Sequence, residues 1–105
     1  MARFDIFLNE GRSKKTTPYL IDIQSNVISA LATRIVIPLR TLTAFGALTV
    51  PKDLCPTITV LGEKVFLDTP QIAAIPANEL KNRVGTADVY QAEILAAMDR
   101  VFGAF

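Results

Sequence analysis

The chain has 105 residues, half of them apolar, and its 11 basic and 10 acidic side chains give a net charge of +1. This length predicts one domain over residues 1–105, and the near-neutral charge excludes a strongly basic nucleic-acid-binding surface and a polybasic membrane anchor. Because the sequence contains no histidine, it also excludes Ser-His-Asp triads, Cys-His pairs and histidine-bound zinc, and we expect neither an enzyme nor a metal or cofactor site.

The N-terminal segment predicts a strand and no export signal. Residues 3–8 alternate in polarity, which is typical of a half-buried β-strand. Asp5 and Glu10 interrupt the apolar run that a secretory signal requires. Charge-free windows of about 11 residues are too short for a membrane span, which needs about 20. We therefore expect a cytoplasmic protein.

Two further strands are predicted around the first loop. The polar and basic segment 9–18 is typical of a hairpin loop, and its three cations, Arg12, Lys14 and Lys15, are too few for tight nucleic-acid binding. Residues 19–24 alternate, and the β-branched run 33–37 predicts a strand that ends at Pro38. Asp22 and Arg34 then lie on neighbouring strands and are expected to pair, at under ~1 kcal/mol if exposed.

The middle of the chain predicts a hairpin and leaves one stretch undecided. Residues 39–54 fit neither a helical nor a strand period, and 41–46 suit a helical turn or part of a strand. Residues 57–61 and 64–67 flank Gly62-Glu63, a two-residue turn signal. Cys55 is expected to be a small buried residue. Residues 71–75 predict a final strand closed by Pro76, and residues 77–85 one helical turn.

The C-terminal segment changes to a helical period. Thr86 can cap a helix and Asp88 suits its first turn, and good helix formers follow to Phe102. Strands followed by one helix predict an α+β fold with the helix on or beside an antiparallel sheet. The apolar arc of this helix spans about 160°, wider than the ~100° that packing on one sheet requires. Either the helix is deeply buried or the excess pairs with a second copy of the chain. The expected dimer residues are Ile94, Leu95, Met98, Val101 and Phe102.

The last four residues, Phe102-Gly103-Ala104-Phe105, place two aromatic side chains at a chain end, where polar residues are usual. These side chains either fold back into the core or form a recognition tip, where aromatic rings anchor a partner.

Several stretches together resemble the CcdB family of toxins. They are Pro18-Tyr-Leu-Ile-Asp-Ile-Gln-Ser-Asn-Val-Ile28, Thr33-Arg-Ile-Val-Ile-Pro-Leu39, Leu54-Cys-Pro-Thr-Ile58, Ile72-Ala-Ala-Ile-Pro76 and Glu93-Ile-Leu-Ala-Ala-Met-Asp99. The matches follow the family order over nearly the whole chain.

The resemblance implies a fold, a target and partners. It implies a CcdB-type, SH3-like β-barrel sheet with a C-terminal α-helix, in a cytoplasmic homodimer. It also implies a non-enzymatic toxin that binds the DNA gyrase A subunit and traps gyrase on cleaved DNA. A CcdA-like antitoxin with a disordered region neutralises such a toxin. No cofactor, membrane or direct nucleic-acid contact is implied.

The resemblance also implies the gyrase-binding residues. By position they are Val27, Ile28, Asp99, Phe102, Gly103, Ala104 and Phe105. The tryptophan of the family's best-studied tail is absent, and alanine replaces its penultimate glycine.

Two alternatives remain open from the sequence. An mRNA-cleaving endoribonuclease of the MazF type shares this sheet architecture, and Asp22 with Arg34 is the acid–base pair available to it. A dimeric binding module that has lost toxicity would also agree with the altered tail.

Overall fold

The structure, a computed structural model, describes residues 2–11, 14–25, 31–42 and 51–103. Within these ranges a C-terminal α-helix follows seven antiparallel strands. They are β1 Asp5–Leu8, β2 Tyr19–Asp22, β3 Thr33–Thr41, β4 Thr57–Val60, β5 Glu63–Leu67, β6 Ala73–Pro76, β7 Arg83–Thr86 and the helix α1 Gln91–Phe102. The strand order is β4-β5-β3-β2-β1-β7, with β6 also paired to β3. This curled antiparallel sheet with one C-terminal helix confirms the predicted α+β class.

The long strand β3 has different neighbours on its two edges. One edge pairs with β2, while the other pairs with β6 over Thr33–Val36 and with β5 over Leu39–Thr41. The predicted end of this strand at Pro38 is wrong, since the strand continues to Thr41.

The position of Pro38 explains why the strand tolerates it. The Ile23 N–H donates to the Ile35 carbonyl, so alternate residues from Ile35 onward direct their backbone groups towards β2. Pro38 therefore faces the other edge, between the end of the β6 pairing and the start of the β5 pairing. Its missing N–H removes no bond from either ladder, because neither strand pairs with it there.

The main core lies between the sheet and α1. Inward-facing residues from β1 to β5 contact Ile94, which has no exposed surface. The buried members are Phe4, Ile6, Tyr19, Ile21, Ile23, Ile37, Leu39, Ile58, Val60, Val65, Leu67, Ala87 and Ile94. A smaller cluster of Phe7, Val36 and Leu80 covers part of the opposite face. The helix therefore packs on one face of the sheet, as the order of strands followed by one helix predicts.

The β4–β5 hairpin is confirmed, with its turn one residue earlier than predicted. Val60 pairs with Glu63, so Leu61 and Gly62 form the two-residue turn. Both have positive φ, 50° and 81°, as a type I′ turn requires. Glu63, predicted to lie in the turn, is the first residue of β5.

The segment before the helix differs most from the prediction. The strand predicted at 71–75 is Ala73–Pro76, because Gln71 ends a 3₁₀ turn that begins at Thr69. It is not the last strand, since β7 follows the predicted helical turn, found at Ala77–Glu79. The Asp88 N–H donates to Thr86 Oγ1 (3.3 Å), and a 3₁₀ turn precedes α1. Residues 43–50, within the undecided stretch, lie outside the described residues.

Candidate functional site

The C-terminal end of α1 presents an aromatic side chain to solvent. Phe102 is the last residue of the helix and is 64% exposed. Gly103 follows it with φ 62°, and its N–H donates to the Asp99 carbonyl. This left-handed C-cap favours glycine, because a Cβ is strained at positive φ. The backbone under Phe102 therefore ends in a defined geometry.

An ion pair connects the last helical turn to the segment before β4. Arg100 Nη1 lies 3.2 Å from Asp53 Oδ2, and both side chains are more than half exposed. An exposed pair of this kind contributes little stability. It does place the Phe102 end of the helix beside residues 51–54.

Three of the predicted gyrase-binding residues lie together at this helix end. Asp99 and Phe102 are exposed and fall within one turn of Gly103. The other four, Val27, Ile28, Ala104 and Phe105, lie outside the described residues.

The predicted dimer residues divide between core and surface. Ile94 faces the sheet and is fully buried, so its side chain is not available to a second copy. Leu95 and Met98 are half-buried against the core. Val101 is half-buried and Phe102 is exposed, so that the apolar surface of the helix lies mainly towards its C-terminus.

The pairing of Asp22 with Arg34 is confirmed, and the structure shows that the pair is buried. Arg34 Nη2 lies 2.7 Å from Asp22 Oδ2, and Arg34 Nε donates to the same oxygen (2.8 Å). Both side chains are 0% exposed, so the surface value of under ~1 kcal/mol does not apply to them. A substrate RNA therefore has no access to this pair.

Gln24 extends this pair into a network that fixes the end of β2. Its N–H donates to Asp22 Oδ1 (3.0 Å), and its side-chain oxygen accepts the Ile35 N–H (3.0 Å). Its carbonyl accepts a long bond from Arg34 Nη2 (3.5 Å). The arrangement holds β2 to β3, which is a structural role.

A second polar cluster, which the sequence did not reveal, lies closer to solvent. Arg40 Nε pairs with Asp68 Oδ2 (2.5 Å), and Arg40 Nη1 donates to Thr17 Oγ1 (2.8 Å). The Arg40 and Asp68 side chains are each roughly a fifth exposed. No spacing signal could show this cluster, because the register of β3 with β5 brings together residues that are far apart in the chain.

The loop between β1 and β2 borders an open cleft of about 440 Å³. The cleft is lined by Leu8, Asn9, Glu10, Gly11, Leu20, Asn78, Glu79 and Lys81. Asn82 Nδ2 donates to Glu10 Oε2 (2.7 Å), and Lys14 and Lys15 in the same loop are exposed as predicted. Arg12 lies outside the described residues. Nothing among these groups forms a nucleophile–base pair.

Cys55 is buried, as predicted. Burial raises the pKa of its thiol, and the carboxylates of Asp68 and Asp53 act in the same direction, against a backbone hydrogen bond from Thr69 that lowers it. The protonated thiol is a weak nucleophile. Within the described ranges no three acidic or cysteine side chains are grouped to hold a metal ion, and no helix has the length and apolar character to span a membrane.

Solved structures of other proteins have a similar fold. The structure of an endoribonuclease in complex with its cognate antitoxin, from a mycobacterial species, is similar at a TM-score of 0.76 and 11% identity, covering 98% of this chain and 95% of that one. The Mycobacterium tuberculosis toxin MazF-mt6 is similar at a TM-score of 0.71 and 15% identity, covering 94% and 96%. At these identities the likeness establishes the fold. No curated protein sequence matches the chain.

The sequence itself gives the family. The family model described as CcdB protein matches residues 3–103, which includes every strand and the helix. The match agrees with the resemblance of the Asp-Ile-Gln-Ser and Arg-Ile-Val-Ile-Pro-Leu segments, which form the buried Asp22–Arg34 junction. The chain belongs to the CcdB family.

Proposed function

We propose that this chain is the toxin of a toxin–antitoxin module and that it acts by binding the A subunit of DNA gyrase and trapping gyrase on cleaved DNA. Membership of the CcdB family supports a toxin, as does the fold shared with MazF-mt6 and with an endoribonuclease solved with its antitoxin. The chain acts in the cytoplasm as a homodimer, and an antitoxin neutralises it.

The exposure of Phe102 carries the proposal for a protein target. An aromatic side chain that is 64% exposed on a capped helix end is suited to fill a pocket on a partner. Asp99, one turn earlier on the exposed surface, can supply a polar contact beside it. A binding mechanism of this kind needs no catalytic group.

A paired set of variants tests the target. We expect Phe102→Ser to weaken binding to purified gyrase A subunit by about 30-fold, because loss of an interface anchor costs about 2 kcal/mol or more. We expect Val89→Ser to leave binding unchanged, since Val89 is also an exposed apolar residue but lies before the N-terminus of α1. Isothermal titration calorimetry measures binding, and accumulation of cleaved plasmid DNA in the presence of gyrase measures poisoning.

Two results would contradict the gyrase proposal. One is equal affinity of the Phe102→Ser variant and the unmodified chain. The other is that the unmodified chain does not bind the gyrase A subunit at micromolar concentration. If the chain then still binds an antitoxin, it is a binding module that has lost toxicity.

The shared fold makes an endoribonuclease the second candidate. The two solved structures described above are an endoribonuclease and a MazF toxin, and the Arg40–Thr17–Asp68 cluster has the solvent access that Asp22–Arg34 lacks. We expect purified protein to leave RNA intact. Cleavage that persists in Phe102→Ser but disappears in Arg40→Ala would favour the second candidate.

A further inference from the structure

Strand β4 forms one edge of the sheet and lacks the usual protection of such an edge. All four of its residues, Thr57-Ile-Thr-Val60, are β-branched, and none is charged. An edge of this composition offers unpaired backbone groups to another strand, and proteins commonly protect it with proline, charged side chains or an irregular ladder. The other edge, β7, contains Gly85 and pairs with a shifted register, whereas β4 pairs with β5 without a break. The β4 edge therefore needs another form of protection.

The backbone of Thr57 and Thr59 faces this open edge. Hydrogen-bonded pairs alternate with non-bonded pairs along an antiparallel ladder. The Leu67 N–H donates to the Pro56 carbonyl (2.9 Å), which makes that pair a bonded one. By this alternation Ile58 also bonds to β5, whereas Thr57 and Thr59 do not. The N–H groups of these two threonines therefore point away from β5.

A tyrosine hydroxyl occupies part of this edge. Tyr90 Oη accepts the Thr59 N–H at 3.3 Å, and the Tyr90 ring is half-buried against the main core. Two backbone bonds fix the 3₁₀ turn that carries it. The Tyr90 N–H donates to the Ala87 carbonyl (2.9 Å), and the Ala87 N–H donates to the Phe4 carbonyl (2.8 Å). The hydroxyl is thus held at the β4 edge by its own turn and by the core.

The geometry of β4 suits pairing with a second copy of itself. About a two-fold axis through Ile58, Thr57 of one copy lies opposite Thr59 of the other, so that the outward N–H and carbonyl groups of the two copies match. Such a contact would join two sheets edge to edge. In each copy, the Thr59 N–H that the contact requires is bonded to Tyr90.

We propose that the Tyr90 hydroxyl blocks the β4 edge: by accepting the Thr59 N–H, it prevents β4 from pairing with β4 of a second copy of the chain. This role is independent of the proposed gyrase target, since Tyr90 precedes α1 and Phe102 ends it. It is also distinct from the expected homodimer, which uses the apolar surface of α1. Pairing at β4 would be an additional contact that links such dimers to one another.

Tyr90→Phe tests this role, because it keeps the ring and removes the hydroxyl. In dilute solution we expect exchange of the Thr59 amide proton, measured by NMR, to become about fivefold faster, as loss of one hydrogen bond allows. At high micromolar concentration we expect light scattering to give about twice the mass of the unmodified chain or more. Tyr19→Phe is the matched control. The Tyr19 hydroxyl bonds to the Glu63 carboxylate, which joins β2 to β5, so its loss should change neither quantity.

A second variant acts on the other partner of the bond. Thr59→Pro removes the N–H itself and costs no bond to β5, because that N–H points away from the ladder. The double variant Tyr90→Phe, Thr59→Pro should therefore return to the mass of the unmodified chain. Equal masses for Tyr90→Phe and the unmodified chain at every concentration overturn the role of Tyr90. A larger mass that Tyr19→Phe shares, or that Thr59→Pro does not reverse, overturns it as well.

Discussion

At the scale of single residues, buried charge is concentrated in one pair. Among the described residues, Arg34 is the largest fully buried side chain, and Asp22 is the acidic residue that balances its charge. One guanidinium nitrogen, Nη1, is buried there without a hydrogen-bond partner. The cost of desolvating two charges offsets much of the attraction between them, so the intact pair adds little net stability. Removing one partner costs much more, because the other charge is then left buried without a counter-charge.

We therefore expect Arg34→Ala to lower the free energy of unfolding by about 3–5 kcal/mol, because it leaves the Asp22 carboxylate buried and uncompensated. Urea denaturation followed by circular dichroism measures the change. The matched control is Arg100→Ala, which breaks the exposed pair with Asp53 and should cost less than about 1 kcal/mol. Similar losses in the two variants would show that Asp22 is not isolated from solvent.

The sequence predicts that Asp22 and Arg34 pair, but not how deep the pair lies. Residue spacing on adjacent strands is a local property, and it places the two side chains within reach. Burial depends on what covers that face of the sheet, including the cluster of Phe7, Val36 and Leu80. The Arg40–Asp68 contact could not be predicted from the sequence either. It depends on which strand pairs with β3, and residue spacing does not specify that pairing.

At the scale of elements, the helix could be predicted from the sequence and the short strand β7 could not. The helix was predictable because its apolar period runs over three turns, and its end at Gly103 follows the usual glycine cap. Strand β7 was not, since Arg83-Val-Gly-Thr86 has four residues, one of them glycine, and no clear alternation. The register of its pairing with β1 shifts between Ile6 and Phe7, so the two strands do not pair in one continuous register.

The cap predicts the effect of a single methyl group. Gly103→Ala should destabilise the chain by about 1 kcal/mol, because alanine at φ 62° is strained even though a Cβ there would meet no neighbour. Gly85→Ala is the control, since Gly85 also has open space but no positive φ. It should be neutral or slightly stabilising in thermal unfolding. A cost at both positions would mean that the helix cap does not cause the loss at Gly103.

At the scale of the whole molecule, apolar surface remains after the core is built. Leu31 is exposed before β3, Ile35 is exposed within it, and Phe102 is exposed at the end of α1. Leu95, Met98 and Val101 add half-buried surface on the same helix. A second copy of the chain would remove much of this surface from water, in the way expected of a symmetric dimer.

We expect light scattering coupled to gel filtration to give about twice the 11.5 kDa of the chain. Phe102→Ser should shift the mass towards that of the single chain as the sample is diluted, whereas Val89→Ser should not. A mass of one chain at high micromolar concentration would contradict the dimer.

Pro38 has a consequence for register. A strand of nine residues with two partners on one edge could in principle slide against either of them by two residues and keep its side chains on the same faces. In this sheet, a slip of β5 or β6 towards the middle of β3 places a carbonyl opposite a residue that has no N–H to donate. The proline thus penalises both misalignments at once, and one residue defines where each neighbouring strand must stop.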